Sequence, residues 1–285
     1  MSIVESVQVF GPERLLFGVL TTPVSAAAAG PGAVPFVLFN AGVIPRLGPH
    51  RMNVKLARAL AAQGHPVLRF DLSGHGDSPP ASSGGDPQRQ GERDLVAALD
   101  HLEAATGARR FALIGVCSGA VQAYHVALAD PRVAGVLMFD GYWYRSRWSR
   151  LVRDVKHFRA TSAHKAWRGL VERLRVRIGQ PHSAPLTNVY QEDGNPPREA
   201  FDRAMAQMSA RAAVYVVYSG SVIDYYSYGA QFRHVFGRRP WFKDVRCELM
   251  ADVDHSFLEL RAQRRFIEAV IAWLPAVRQA AAVLR

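Results

Sequence analysis

Cys117 stands at the centre of Gly115-Val116-Cys117-Ser118-Gly119, directly after the apolar run Phe111-Ala112-Leu113-Ile114 and ahead of small residues suited to open a helix. Buried strand, tight turn and helix, in that order, hold one side chain out at the edge of a sheet. The flanking glycines leave room for neighbouring chain where a Cβ would crowd it. A thiol so placed is a candidate nucleophile, since the thiolate is the reactive form and a nearby base suffices to produce it. Ser118 does not compete, because in its register Val116 and Ala120 would occupy the glycine positions. The plainer reading of such a cysteine is an inert packing residue. Cys247, flanked by Arg246 and Glu248 in a strand-like segment, is read in that way.

The chain around this turn has 285 residues, enough for one large domain with an insertion. Its hydrophobic content of 49% and charged content of 21% are those of a globular protein. Two cysteines make no disulfide framework. Residues 1–20 lack a basic stretch leading into an apolar one, so no secretory signal is expected. The most apolar stretches, 26–39 and 266–283, are broken by Gly and Pro or by Glu268 and Arg278, and no membrane span is expected. These features suggest a cytoplasmic protein.

A net charge of +11 raises the question of nucleic acid, but its distribution argues against that partner. Between Arg145 and Arg177 eleven Lys or Arg face only Asp154 and Glu172, so one segment carries most of the excess.

The periodicity predicts an opening hairpin over 4–20, turning at Gly11-Pro12. Strands follow at 37–39, 66–70, 111–114 and 133–139, with helices near 50–63, 90–105 and 117–129 between them. This alternation calls for a mostly parallel sheet with helices on both faces. Regularity stops after Asp140. The segment 141–210 is basic and aromatic, contains Pro181, Pro185, Pro196 and Pro197, and suggests helices near 148–158, 166–178 and 198–209. Strands return at 213–218 and 245–250, and a final amphipathic helix is expected over about 259–273. The expected organisation is a core of 1–140 and 211–285, with 141–210 as a helical lid inserted after the sixth strand.

In order and spacing these motifs resemble the α/β-hydrolase superfamily over nearly the whole chain. Asn40-Ala41-Gly42-Val43 stands where that family has its oxyanion turn, usually opening His-Gly. Asp71-Leu72-Ser73-Gly74-His75-Gly76-Asp77-Ser78 fits its Asp-x-x-Gly-x-Gly-x-Ser loop, in which His75 would be structural. Gly-x-Cys-x-Gly is its nucleophile elbow with sulfur for oxygen. The resemblance implies His255 as the base and, beyond the seventh strand, Asp224 as the acid that orients it. Asp140, ending the sixth strand, is the rival acid, because some relatives carry it there. Asp252 and Asp254 lie too near His255 to orient it. The implied oxyanion hole is the backbone N–H of Ser118 with that of Val43, Gly42 being the alternative second donor. No metal and no cofactor is implied.

Relatives with cysteine in the elbow include dienelactone hydrolases, polyhydroxyalkanoate synthases and some thioesterase domains of assembly lines. They imply acyl transfer through a thioester, with an acyl thioester or ester as substrate. Nine arginines of the 145–177 segment (145, 147, 150, 153, 159, 168, 173, 175 and 177) could meet an acidic carrier protein or coenzyme A, though a solvated face is the simpler role for any one. Tyr142, Trp143 and Tyr144 could line a substrate channel or pack the lid on the body, as could Trp148 and Trp167. The expectation is therefore a thioesterase or acyltransferase. A small ester or lactone hydrolase like dienelactone hydrolase is the enzymatic alternative. A non-catalytic binding protein on the same fold is the alternative from another class.

Overall fold

The computed structural model describes residues 2–24, 32–82, 86–149, 151–153, 155 and 194–283. The helix expected at 166–178, and with it Trp167, Arg150, Arg159, Arg168, Arg173, Arg175 and Arg177, lies outside the described residues.

An eight-stranded sheet forms the centre, in the order β1-β2-β4-β3-β5-β6-β7-β8. The expected opening hairpin is β1 (Ile3–Phe10) and β2 (Leu16–Pro23), paired antiparallel with Phe10 opposite Leu16. β2 also runs antiparallel to β4 (Val67–Phe70). From β4 through β3 (Phe36–Leu38), β5 (Phe111–Val116), β6 (Val133–Phe139), β7 (Ala213–Ser219) and β8 (Val245–Met250) every pairing is parallel. β3, β4, β5 and β6 are buried at every residue. A strand covered on both faces needs apolar side chains throughout, which is why these segments read as continuous apolar runs.

Two apolar layers cover the sheet. On one face lie α2 (Pro87–Thr106), α3 (Ser118–Ala129) and α4 (Arg198–Ser209), with Leu95, Leu99, Tyr124, Phe201 and Met205 in the core. On the other lie α1 (Met52–Ala62) and α6 (Leu260–Val283), with Leu56, Leu60, Phe266, Trp273 and Val277. α2 shows the sequence rules at both ends. Asp86 accepts a hydrogen bond from Gln88 N at 3.0 Å, Pro87 takes the first turn, and Gly107 closes the helix at φ 69°.

Two boundaries differ from the sequence reading. α4, grouped there with the lid, packs against α3 and β7 and is the core crossover joining β6 to β7. Its Phe201, Ala204, Met205 and Met208 recur at helical spacing, so its apolar stripe belongs to the sheet. α6 runs well past the expected end at about 273, to Val283. It is long and apolar enough by composition to span a bilayer, but its Phe266, Val270, Trp273, Leu274 and Val277 stripe is buried against the protein.

The strand order reverses at β3 and β5, whose C-terminal ends therefore open into a crevice, the usual ligand position in such sheets. Asn40 follows β3 there and Cys117 follows β5. α6 braces the same edge, since the Phe266 ring lies 5.2 Å from Phe139 and 5.0 Å from Phe257. Phe139 precedes Asp140, and Phe257 follows His255 by two residues. Truncating Phe266 to Ala should therefore cost about 3–5 kcal/mol of stability, measured as the drop in urea-unfolding free energy. A loss below about 1 kcal/mol would show that α6 does not brace this edge.

Candidate active site

Cys117 adopts φ 58° and ψ −123°, a backbone conformation that side-chain-bearing residues seldom enter. The neighbouring glycines make this turn possible. A Cβ on Gly115 would lie 2.2 Å from Gly119 O, and one on Gly119 would lie 2.7 Å from Asn40 O. Cys117 N donates to Phe139 O at 2.9 Å, and Ala120 N closes the first turn of α3 on Cys117 O at 3.0 Å.

Sheet register sets what stands beside it. Val116 pairs with Phe139, so the next residues of the two strands, Cys117 and Asp140, emerge side by side. Asp140 is also turned to positive φ, at 51°, and its N–H donates to Val217 O of β7. Its carboxylate is buried and accepts from Ser219 N at 2.7 Å and Ser219 Oγ at 2.6 Å. His255 Nδ1 lies 2.7 Å from Asp140 Oδ2. The expectation that Asp224 orients His255 is thereby corrected. Asp224 sits in the loop after β7, half-buried, whereas the carboxylate on the imidazole comes from β6. The physical reason lies in β7 itself. Ser219, its last residue, offers an N–H and a hydroxyl to Asp140, and Gly220 then turns so closely on β8 that a Cβ there would meet Ala251 O at 2.3 Å.

The loop carrying His255 is tied down on both sides. His255 N donates to Ser221 Oγ at 2.9 Å. Asp254 accepts from Ser256 N, Ser256 Oγ and Leu258 N, so it caps the loop and does not face the imidazole. Burial pulls the His255 pKa down, yet hydrogen bonds with Asp140 and Cys117, together with their charges, carry it up to about 10. That proton belongs to the cysteine–histidine pair as a unit. Cys247 contrasts with it. Burial pushes its thiol up to about 12, with the Tyr226 hydroxyl 3.6 Å from Sγ.

The turn after β3 closes over the elbow. Gly42 N donates to Ser118 Oγ at 2.9 Å, pinning the turn to the start of α3, and Val43 stands exposed at the tip. Asn40, where relatives usually have His, supports this turn by a different network. Its amide donates to Ile44 O at 3.0 Å and its carbonyl accepts from Leu72 N at 2.7 Å. The loop after β4 winds around buried Asp71, which accepts from Arg46 N at 2.6 Å and Asp77 N at 3.1 Å and pairs with the Arg46 guanidinium. Gly76 passes so close to that carboxylate that a Cβ would sit 2.3 Å from Oδ2.

A cleft of about 610 Å³ opens beside the turn, lined among others by Gly42, Leu72, His75, Ser118, Val121 and Gln122. His75, read from sequence as structural, hydrogen-bonds Ser73 O at 3.1 Å and also faces this cleft. Tyr142, Trp143 and Tyr144 are not among the residues lining it. Trp143 is buried against Tyr225, and Tyr144 packs on Phe201 and Phe236 with its hydroxyl donating to Pro196 O at 2.7 Å. These aromatics fasten the strap that leaves Asp140. Among the described residues no three His, Cys, Asp or Glu side chains converge as a metal site.

Residues 40–230 match the alpha/beta hydrolase fold family, and the chain belongs to it. Among the curated proteins none matches. Among solved structures, proline iminopeptidase from Mycobacterium smegmatis superposes with TM-score 0.56 at 17% identity, over 97% of this chain and 100% of that one. An esterase from Pyrococcus furiosus gives 0.55 at 13% identity, over 96% and 91%. A lidless a/b serine hydrolase from Xanthomonas campestris gives 0.54 at 15%, over 95% and 94%. At these identities the likeness is one of fold.

The His255 imidazolium should persist well above neutrality and titrate near 10, as followed by histidine NMR. A raised value stabilises the fold fully below the ordinary 6.5, and that contribution is lost as pH rises through about 10. Asp140→Asn should lower the midpoint by about 1–3 units, while Asp224→Asn leaves it in place. The opposite ranking would restore Asp224 as the partner.

Proposed function

We propose that this hydrolase-fold protein is an acyl-transfer enzyme, a thioesterase or acyltransferase, working through an acyl-thioester on Cys117. The observation that carries the reading is the Cys117–His255–Asp140 arrangement at the carboxyl edge of the sheet. Asp140 fixes the tautomer and orientation of His255 and stabilises the imidazolium. The Cys117 thiolate attacks the carbonyl carbon of the donor, and its C–S bond forms as the carbonyl π pair moves to oxygen. In this reading the N–H of Ser118, at the head of α3, and that of Val43 receive that oxyanion. The tetrahedral adduct collapses, the donor's bond to its leaving thiol breaks, and His255 delivers the proton to the departing sulfur. His255 then removes a proton from water, an alcohol or an amine, which attacks the acyl-enzyme and releases Cys117.

Sulfur favours a thioester donor. Exchange of one thioester for another is close to isoenergetic, whereas an amide would have to expel an amine poorer than the attacking thiolate as a leaving group. The cleft beside Ser118 is the proposed acyl site. A small ester or lactone hydrolase is the second reading, supported by the mixed apolar and polar walls of that cleft. A purely binding role fits less well, since the nucleophile, base and acid are all present.

Incubation with a panel of acyl thioesters, followed by intact-protein mass spectrometry, should give one acyl adduct on Cys117, absent in Cys117→Ala. Iodoacetamide at neutral pH should modify Cys117 and spare Cys247, whose thiol is pushed to about 12. Cys117→Ser should turn over poorly, because a hydroxyl needs stronger base assistance than a thiol. Preferential modification of Cys247, or adducts undiminished in Cys117→Ala, would defeat the assignment. Turnover of lactones with no response to any thioester would favour the second reading.

A further inference from the structure

The strongest feature outside the catalytic edge is a cavity of about 640 Å³ whose wall carries Arg145, Arg147, Arg198, Arg233, Arg238 and Arg239. His234 and Trp148 add to it, and among the described residues no Asp or Glu lines it. Three separate pieces of chain contribute: the strap after Asp140, the first turn of α4, and the end of α5 (Gln231–Phe236) with the turn behind it. Asp202 reaches Arg239 from outside the lining, at 3.0 Å. Several guanidinium groups gathered around one space make it strongly positive, and their planar forks suit phosphoryl oxygens.

The aromatic part of the wall narrows the ligand further. Trp148 is 45% exposed, and the Arg147 guanidinium lies 5.3 Å from its ring centroid. An open indole beside a guanidinium is a stacking surface for a flat heteroaromatic ring. Ser146 Oγ, which accepts from Trp148 N at 3.1 Å, lies 2.5 Å from Tyr228 OH, which in turn lies 2.8 Å from His234 Nδ1, so hydrogen bonds tie Trp148 and His234 of the wall together. Multiple phosphates with an attached base match this combination. A single phosphodiester would need one or two arginines and no stacking surface.

Position relates the cavity to the reacting sulfur. Arg145 lies five positions after Asp140, at most about 18 Å of extended chain, and Asp140 stands beside Cys117. We infer that this cavity binds the nucleotide end of a coenzyme A thioester, its phosphates on the arginines and its adenine against Trp148, with the pantetheine arm leading to Cys117. The inference rests on the acyl-transfer reading and specifies its donor.

Binding is testable without turnover, by calorimetry on Cys117→Ala. Coenzyme A and adenosine 3′,5′-bisphosphate should bind, adenosine should not, and affinity should fall as salt screens the exposed charges. Arg233→Glu/Arg238→Glu, with its fold checked by circular dichroism and melting, should weaken both ligands at least tenfold. Trp148→Ala should weaken the bisphosphate while sparing inorganic diphosphate. No binding to unsubstituted arginines, or binding indifferent to the double reversal, would overturn the site. Inorganic diphosphate binding as tightly as the bisphosphate, with Trp148→Ala silent, would overturn the nucleotide assignment, as would a phosphopantetheinylated carrier protein binding where coenzyme A does not. An acyl-enzyme from an uncharged thioester without coenzyme A binding would sink this inference alone. Coenzyme A binding without any acyl-enzyme would instead sink the chemistry proposed for Cys117.

Discussion

The hydrogen bond between Asp140 and His255 is the contact on which the carboxyl edge of this sheet is organised. It joins residues 115 positions apart, and each is held by a different neighbour. Asp140 is fixed through Ser219 and Val217 of β7, and His255 through Ser221 and the Asp254-capped turn. The carboxylate is buried, so removing its partners would leave a charge with no water to replace them, a heavy penalty in a low-dielectric interior. Its three hydrogen bonds, two from Ser219 and one from His255, remove that penalty. The same bond keeps the imidazole turned so that its other nitrogen faces the sulfur. Stability and the proposed chemistry therefore depend on one contact.

Much of this was legible in sequence because the elements obey local rules. Strands buried on both faces read as unbroken apolar runs, and β6 and β8 begin and end where the pattern puts them. The elbow was legible for a steric reason. Gly115 and Gly119, set symmetrically about a nucleophile-type residue, suit a turn in which chain passes too close for a Cβ, and both close approaches exist. The acid was not legible, because choosing between Asp140 and Asp224 requires the register of three strands. Local sequence makes both residues polar positions near a strand end. What separates them is that Asp140 directly follows a strand whose residue Phe139 pairs with both Val116 and Val217. A carboxylate stepping off that central strand lands between Cys117 and β7. Ser219, ending β7 with two donors, is the signal that could have pointed to it.

The basic cavity illustrates a second limit of one-dimensional reading. The run from 145 to 177 drew attention because its charges are contiguous, and the remainder of the chain looked nearly neutral. Arg198 stands beside Glu199, and Arg233, Arg238 and Arg239 form a second, shorter basic stretch far along the chain from 145–177. Folding brings them to Arg145 and Arg147, because the strap after β6 is fastened by its aromatics to α4 and α5. Tyr144 on Phe201 and Phe236 makes that attachment, and Gln231 Nε2 adds a bond to Tyr144 O at 2.9 Å. These aromatics decide where the arginines stand.

Cys117 and Asp140 both sit at positive φ, 58° and 51°, each directly after the last residue of its strand. Each conformation costs about 1–3 kcal/mol, so the surroundings must impose them. The means are visible: both N–H groups are anchored to carbonyls of the adjacent strand, Cys117 on Phe139 and Asp140 on Val217. Each anchor lies one strand further along the sheet than the last, so the turns form a staircase from β5 through β6 to β7. Strain at the first step presents the sulfur, and strain at the second presents the carboxylate. Because the two steps share Phe139, relaxing either would shift the other, and Cys117 and Asp140 are positioned together.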